Sequence, residues 1–286
     1  MAITEGGIIG KQNTTTATSA SGMWTLNETF LRNTVMSKWP NFNVPASISY
    51  SILSGGGGGH QVVSPARNMY GGGSGAVPVT GTFAPASGTT YVVTVGAGGG
   101  STSTYGQRTD GGTSSITGIA TGSAGRCTNG EMGASNDSYG GGFYSSVGGG
   151  GGAGAGEGSE SGPNQATGST GGNGGAGVVM PLHPTSLRVG GGGAGGCSNI
   201  FNSGDATDGG GRSGHYSLVI VPGVNRGGGG GGATYNTSNH QSGGSGRVIL
   251  RYPEAAPPAT TTGTVTYTIS GGYRYYDFTS SGSLSF

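Results

Sequence analysis

The 286-residue chain carries 70 glycines and 12 prolines against 12 Lys/Arg and 11 Asp/Glu, for a formal net charge of +1. Near-neutrality gives no electrostatic footprint for nucleic acid or an anionic membrane surface, and no stretch approaches the ~18 consecutive apolar residues of a bilayer span. This much Gly and Pro without a Gly-X-Y period commonly means disorder. Disordered chains, however, combine high net charge with few aromatics, whereas here charged residues are 8% and aromatics also 8%. An ordered, soluble glycine architecture is expected.

Residues 1–45 read as an N-terminal arm with an attachment helix. "MAITEGGIIGKQ" lacks an apolar signal core, so no Sec export is expected. In "SGMWTLNETFLRNTVMSKWP", Thr25 and Glu28 fit a capping box and Pro40 ends the run, predicting a short helix over 25–39. Leu26, Phe30, Leu31, Val35, Met36 and Trp39 fall on one side of it. With no domain of its own to pack on, the helix suggests docking to another protein through Trp24, Phe30, Leu31 and Trp39. The plainer reading is that it packs on the body that follows.

Residues 46–253 form that body. "ASISYSIL" (46–53), "TTYVVTV" (89–95) and "GRVILRYP" (246–253) read as strands by alternation and β-branching. Ten glycine segments lie among them, beginning near Gly55, Gly71, Gly96, Gly140, Gly148, Gly171, Gly190, Gly209, Gly227 and Gly243. Glycine loses the most backbone entropy on ordering, so an ordered run needs a purpose for its missing side chains. Polyglycine II geometry supplies one: three residues per turn, about 3.1 Å rise, and no internal hydrogen bonds. Each N–H and C=O then needs a partner in a neighbouring run, and a run surrounded on all sides needs Gly at all three positions. The expected fold is therefore a polyglycine II helix bundle with flanking β-sandwich-like strands, one short N-terminal helix and little other α.

If the runs alternate up and down, their connections alternate between two ends. "HQVVSPARNMY", 101–139, "SESGPNQATGST", "SNIFNSGDATD" and "YNTSNHQS" are polar and would form a tip; "FYSSV", "VVMPLHPTSLRV" and "HYSLVIVPGVNR" are apolar and would form a β-rich base. This count puts Cys127 and Cys197 at the tip, close enough for a disulfide to be weighed. Residues 254–286 read as a Pro/Thr linker and a C-terminal β-hairpin turning at Gly271–Gly272, too short to bury a core alone.

Motifs for chemistry are missing. In "GGIIGK" (6–11) Glu5 stands where a phosphate loop needs Gly, and Gln12 where it needs Ser or Thr. No Ser sits in Gly-x-Ser-x-Gly, and His60, His183, His215 and His240 follow no metal-ligand spacing. Asp205 with Asp208, or Glu157 with Glu160, is weighed as a Ca²⁺ site against solvated loop carboxylates and set aside. The expectation is no enzyme, no cofactor and no metal.

The alternation of all-glycine runs with short diverse loops over 55–246 resembles the tip adhesin of T-even-type phage long tail fibres. "SGMWTLNE", "YSILSGGGGG", "GSGRVILRYP" and "YYDFTSSGSLSF" are similar to phrases of glycine-rich tail proteins from marine phages. In those proteins the last phrase precedes the strand feeding the first glycine run; here it ends the chain. The C-terminal strands then complete a sandwich in cis or insert into a neighbouring protomer. The glycine-rich region of some animal receptor kinases is a more distant resemblance, disfavoured by the missing signal peptide and further cysteines.

The resemblance implies a receptor-binding protein of a tail fibre or tail tip, made in the host cytoplasm and carried on the virion. Residues 1–45 would hold another tail protein, and the loops a bacterial glycan or outer-membrane protein. The receptor-contact candidates are His60, Met69, Tyr70, Tyr105, Tyr139, Phe201, Tyr235 and His240, since aromatics among Asn and Ser suit binding surfaces. The copy number is open between one chain capping a trimeric fibre and a homotrimer. The alternative function is a purely structural head fibre or tail spacer without host contact.

Overall fold

The computed structural model describes residues 14–15, 20–21, 44–59, 68–69, 71–100, 109–127, 144–145, 154–155, 171–196, 204–212, 222–232 and 241–286. In chain order the strands are β1 (Thr14–Thr15), β2 (Ala20–Ser21), β3 (Ile48–Leu53), β4 (Asn68–Met69), β5 (Val79–Phe83), β6 (Thr90–Thr94), β7 (Ser115–Ile116) and β8 (Ala120–Thr121). They continue with β9 (Tyr144–Ser145), β10 (Val178–Val179), β11 (Arg188–Val189), β12 (Arg247–Pro253), β13 (Thr260–Thr262), β14 (Val265–Ser270), β15 (Tyr273–Phe278) and β16 (Gly282–Ser285). One five-stranded sheet runs β14-β15-β12-β3-β5 and the other β13-β16-β6-β7-β8. Every pairing within them is antiparallel.

Alternation fixes which side chains meet. Ile52, Val248 and Phe278 sit side by side on β3, β12 and β15, so a slip of one residue would turn all three away from the core. With Ile48, Leu250, Tyr252 and Tyr276 they face Tyr91 and Val93 of β6, Ile116 of β7 and Leu284 of β16 in one buried cluster. Each such side chain contributes about 1.5–3 kcal/mol. A smaller cluster on the opposite face of the first sheet joins Leu53, Ile249 and Tyr275 to Ala76, Met180 and Val189, the last two from the region of the β10–β11 hairpin.

The C-terminal strands stitch both sheets in cis. β13 pairs with β16, β14 with β15, β15 with β12, and β16 with β6. The crossover after β12 is tied down by tyrosine hydroxyls: Ala259 N–H donates to Tyr252 at 2.9 Å and to Tyr276 at 2.8 Å, and Tyr252 donates to Pro257 O at 3.0 Å. Arg274 donates to the carbonyls of Ala256 and Glu254. The expected turn at Gly271–Gly272 is present, both residues at positive φ (57° and 78°).

The expected polyglycine II helix bundle with an N-terminal helix is corrected. Among the described residues there is no helix, and the regular architecture is antiparallel β-sheet in two five-stranded layers. The helix expected over 25–39 lies outside the described residues. Burial explains why sheet dominates. Apolar area removed from water drives folding, glycine has no side chain to bury, and the large buried side chains belong mainly to the strands.

Among the described residues the glycine segments have no regular secondary structure of their own, and they bond laterally. From Gly55 to Gly59 successive N–H groups donate to the carbonyls of Gly112, Gly244, Ser74, Thr109 and Gln241. Every third residue returns to the same neighbouring segment. The carbonyls of Gly55, Gly56 and Gly57 accept from Gly125, Gly99 and Gly230. Space is closed on all sides: a Cβ on Gly56 would lie 2.0 Å from Gly228 O, on Gly57 2.1 Å from Arg126 O, and on Gly58 2.5 Å from Gly100 O.

Candidate functional site

His60, Tyr70, Tyr105, Tyr139, Phe201, Tyr235 and His240, and the attachment candidates Trp24, Phe30, Leu31 and Trp39, lie outside the described residues. So does Cys197, and with it any pairing to Cys127. Met69 falls on β4, opposite Tyr144 of β9. The up-and-down count put these two at opposite ends, and the pairing corrects it.

The described residues that bracket the candidates can be placed. Gly59 N–H donates to Gln241 O at 2.9 Å, and Gly58 N–H to Thr109 O at 3.2 Å. Thr109 N–H donates to Gly100 O at 3.2 Å, and Cys127 N–H to the Asp110 carboxylate at 2.8 Å. Gln241 N–H reaches Gly231 O, Gly232 N–H reaches Ala194 O, and Gly204 N–H reaches Gly195 O. Both ends of 101–108 and of 233–240, the entry of 60–67 at Gly59 and the exit of 197–203 at Gly204 are thus fastened by hydrogen bonds at one end of the glycine layer. Gly59 stands six residues past the end of β3, at most ~20 Å of chain from the sheet.

Two polar side chains sit at this end. Gln241 is 2% exposed, with Oε1 packed against Gly211, and neither amide atom has a hydrogen-bond partner among the described residues. Arg212 pairs through Nη2 with Asp205 at 2.5 Å, while its buried Nε is unpaired among those residues. Sequence reading passed over Gln241, whose one signal is a bulky polar residue beside a glycine run.

The other end is built on charge. Asp208, at φ 55°, accepts from Arg188 Nε and from Gly177 N–H, each at 2.8 Å, and Arg188 Nη2 donates to Gly177 O at 2.6 Å. Burial pushes the Asp208 carboxyl upward, but Arg188, the Gly177 amide and Thr207 outweigh it and hold it below the ordinary range. Counting had assigned Asp208 to the tip; its bonds to Arg188 of β11 and to Gly177, just before β10, place it beside those strands. Asp205 and Asp208, weighed together for Ca²⁺, each pair with a different arginine.

On the outer face of the first sheet Asp277 lies 3.3 Å from Arg247 and 3.7 Å from His183. Burial pushes its carboxyl up, opposed by the charges of Arg247 and His183. Arg251 stacks 4.5 Å from the Tyr273 ring centroid on the same face. The His183–Asp277 pair fastens the β10–β11 connection to the sheet; these pairings are non-local and left no motif.

A family model described as "Glycine-rich domain" matches residues 34–253, most of the chain. The chain belongs to this family. No curated protein and no solved structure matches it. The glycine-rich domain match ends at Pro253, the last residue of β12. The four strands beyond it nonetheless contribute Tyr276, Phe278 and Leu284 to the common core.

Proposed function

We propose that this glycine-rich protein is a receptor-binding protein of a phage tail fibre or tail tip, acting by binding and not by catalysis. The observation that carries the reading is the shared network fastening Gly59, Gly100, Thr109, Gly204, Gly232 and Gln241. Short connections anchored on a mutually bonded, mostly glycine base vary without disturbing the core, the arrangement suited to recognition loops on a scaffold.

The candidates His60, Met69, Tyr70, Tyr105, Tyr139, Phe201, Tyr235 and His240 would meet a bacterial glycan or outer-membrane protein, aromatics stacking and Asn/Ser side chains hydrogen-bonding. Residues 1–45 would join the chain to another virion protein. The test is binding of the labelled, purified protein to a panel of bacterial strains, with protection of the bound strain from infection. Saturable binding to a subset, with protection, supports the reading. Binding to none favours a structural spacer of the virion.

A further inference from the structure

We propose that β14 is a homodimerisation strand, pairing antiparallel with β14 of a second copy to join the two β14-edged sheets into one. The proposal stands apart from the functional reading, which a monomeric protein would leave intact.

β14 ends its sheet, with no partner on its outer side among the described residues. The two-residue turn at Gly271–Gly272 makes Ser270 and Tyr273 a hydrogen-bonded pair, so Thr268 and Thr266 also aim their backbone groups at β15. Val265, Tyr267 and Ile269 therefore present N–H and C=O outward. Natural edges are guarded by charge, proline, brevity or a cover. The other edges have such guards: Pro78 and Pro85 flank β5, Pro257 and Pro258 precede the three-residue β13, and β8 has two residues. β14, "VTYTIS", is six residues long with neither charge nor proline. Tyr267 and Ile269 are nearly half exposed, at 45% and 46%.

Its sequence names the occupant. In a two-fold arrangement centred on Tyr267, the outward-facing groups of Val265, Tyr267 and Ile269 meet those of Ile269, Tyr267 and Val265 of the second copy, making about six hydrogen bonds. On one face Tyr opposes Tyr and Val opposes Ile; on the other Thr266 opposes Thr268. These are favourable cross-strand pairs. Arg274, which donates to the Tyr267 hydroxyl, holds that ring in place.

The experiment is light-scattering mass of the full-length protein with three variants. Wild type is expected at twice the chain mass and Ile269→Thr likewise. Ile269→Lys, a guarded edge, is expected at one chain mass with an unchanged melting temperature. Tyr267→Cys is expected to crosslink to itself under mild oxidant, since Cα atoms ~5.5 Å apart lie within disulfide reach, while oxidised wild type controls for Cys127 and Cys197. Wild type at one chain mass at every concentration, a three-chain particle, or a dimer indifferent to Ile269→Lys overturns the proposal.

Discussion

Replacing Gly57 by Ala tests whether the glycine layer is a packed solid. Gly57 does not have a positive φ, so the cost of the substitution is contact alone. The added methyl would lie 2.1 Å from Arg126 O, 2.2 Å from its carbonyl carbon and 2.7 Å from Cys127 N. Ordinary contact starts at 3.4 Å, so the neighbouring backbone must retreat by more than 1 Å. That backbone is itself held: Ser74 N–H donates to Arg126 O at 2.9 Å and Ser74 Oγ accepts from Arg126 N–H at 2.7 Å. Overpacking costs about 1–3 kcal/mol, and a broken buried hydrogen bond adds about 1 kcal/mol. A loss of about 3 kcal/mol lowers Tm by roughly 6–10 °C in a chain of this size. The control is Gly100→Ala, where a methyl meets only Thr109 Oγ1 at 3.5 Å. Calorimetry of the two variants reads the difference, and Gly57→Ala melting within about 2 °C of Gly100→Ala would refute close packing.

Asp208 gives a pH signature. Its folded pKa is below the unfolded value of ~3.9, so its stabilisation is full above about pH 4 and is lost as pH falls through the folded pKa. Wild type should melt above Asp208→Asn at pH 6, and the gap should close on acidification; a pH-independent gap would contradict the clamp. Truncation after Pro253 removes Tyr276, Phe278 and Leu284, each at most 2% exposed, a loss of about 5–9 kcal/mol against a typical net stability of 5–15 kcal/mol. The 1–253 chain is expected to be insoluble or unfolded by circular dichroism, and a cooperative melt near wild type would count against the stitched sandwich. Deleting residues 1–43 stops short of buried Pro45 and of β3, so that variant should melt like wild type yet fail to join virions in a reconstitution assay.

The strands were the legible part of the sequence. Alternation and β-branching located 46–53, 89–95 and 246–253, observed as β3, β6 and β12 with ends shifted by one or two residues. Paired glycines marked the β14–β15 turn. Which strands become neighbours was not legible, because β3 with β12, and β16 with β6, join segments nearly 200 residues apart. Composition drew attention to glycine, whereas the framework was decided by residues that bury apolar area. Counting runs failed where single residues intervene: Asp208 at positive φ turns the chain beside Arg188, and Tyr144 pairs beside Met69. For the candidate site, the glycine runs marked Gly59, Gly100, Gly204 and Gly232, which the hydrogen bonds tie down, but a buried Gln241 or the Asp277–Arg247–His183 group exists only through distant contacts.

The most direct measurement compares the affinities of wild type and of a loop-replaced protein across the panel of bacterial strains. Segments 60–67 and 233–240 are exchanged for Gly/Ser stretches of equal length, leaving Gly59, Gly232 and Gln241 in place. The account predicts that binding falls at least ~10-fold, about 1.4 kcal/mol, while Tm stays at the wild-type value. Undiminished binding by the loop-replaced protein would contradict it.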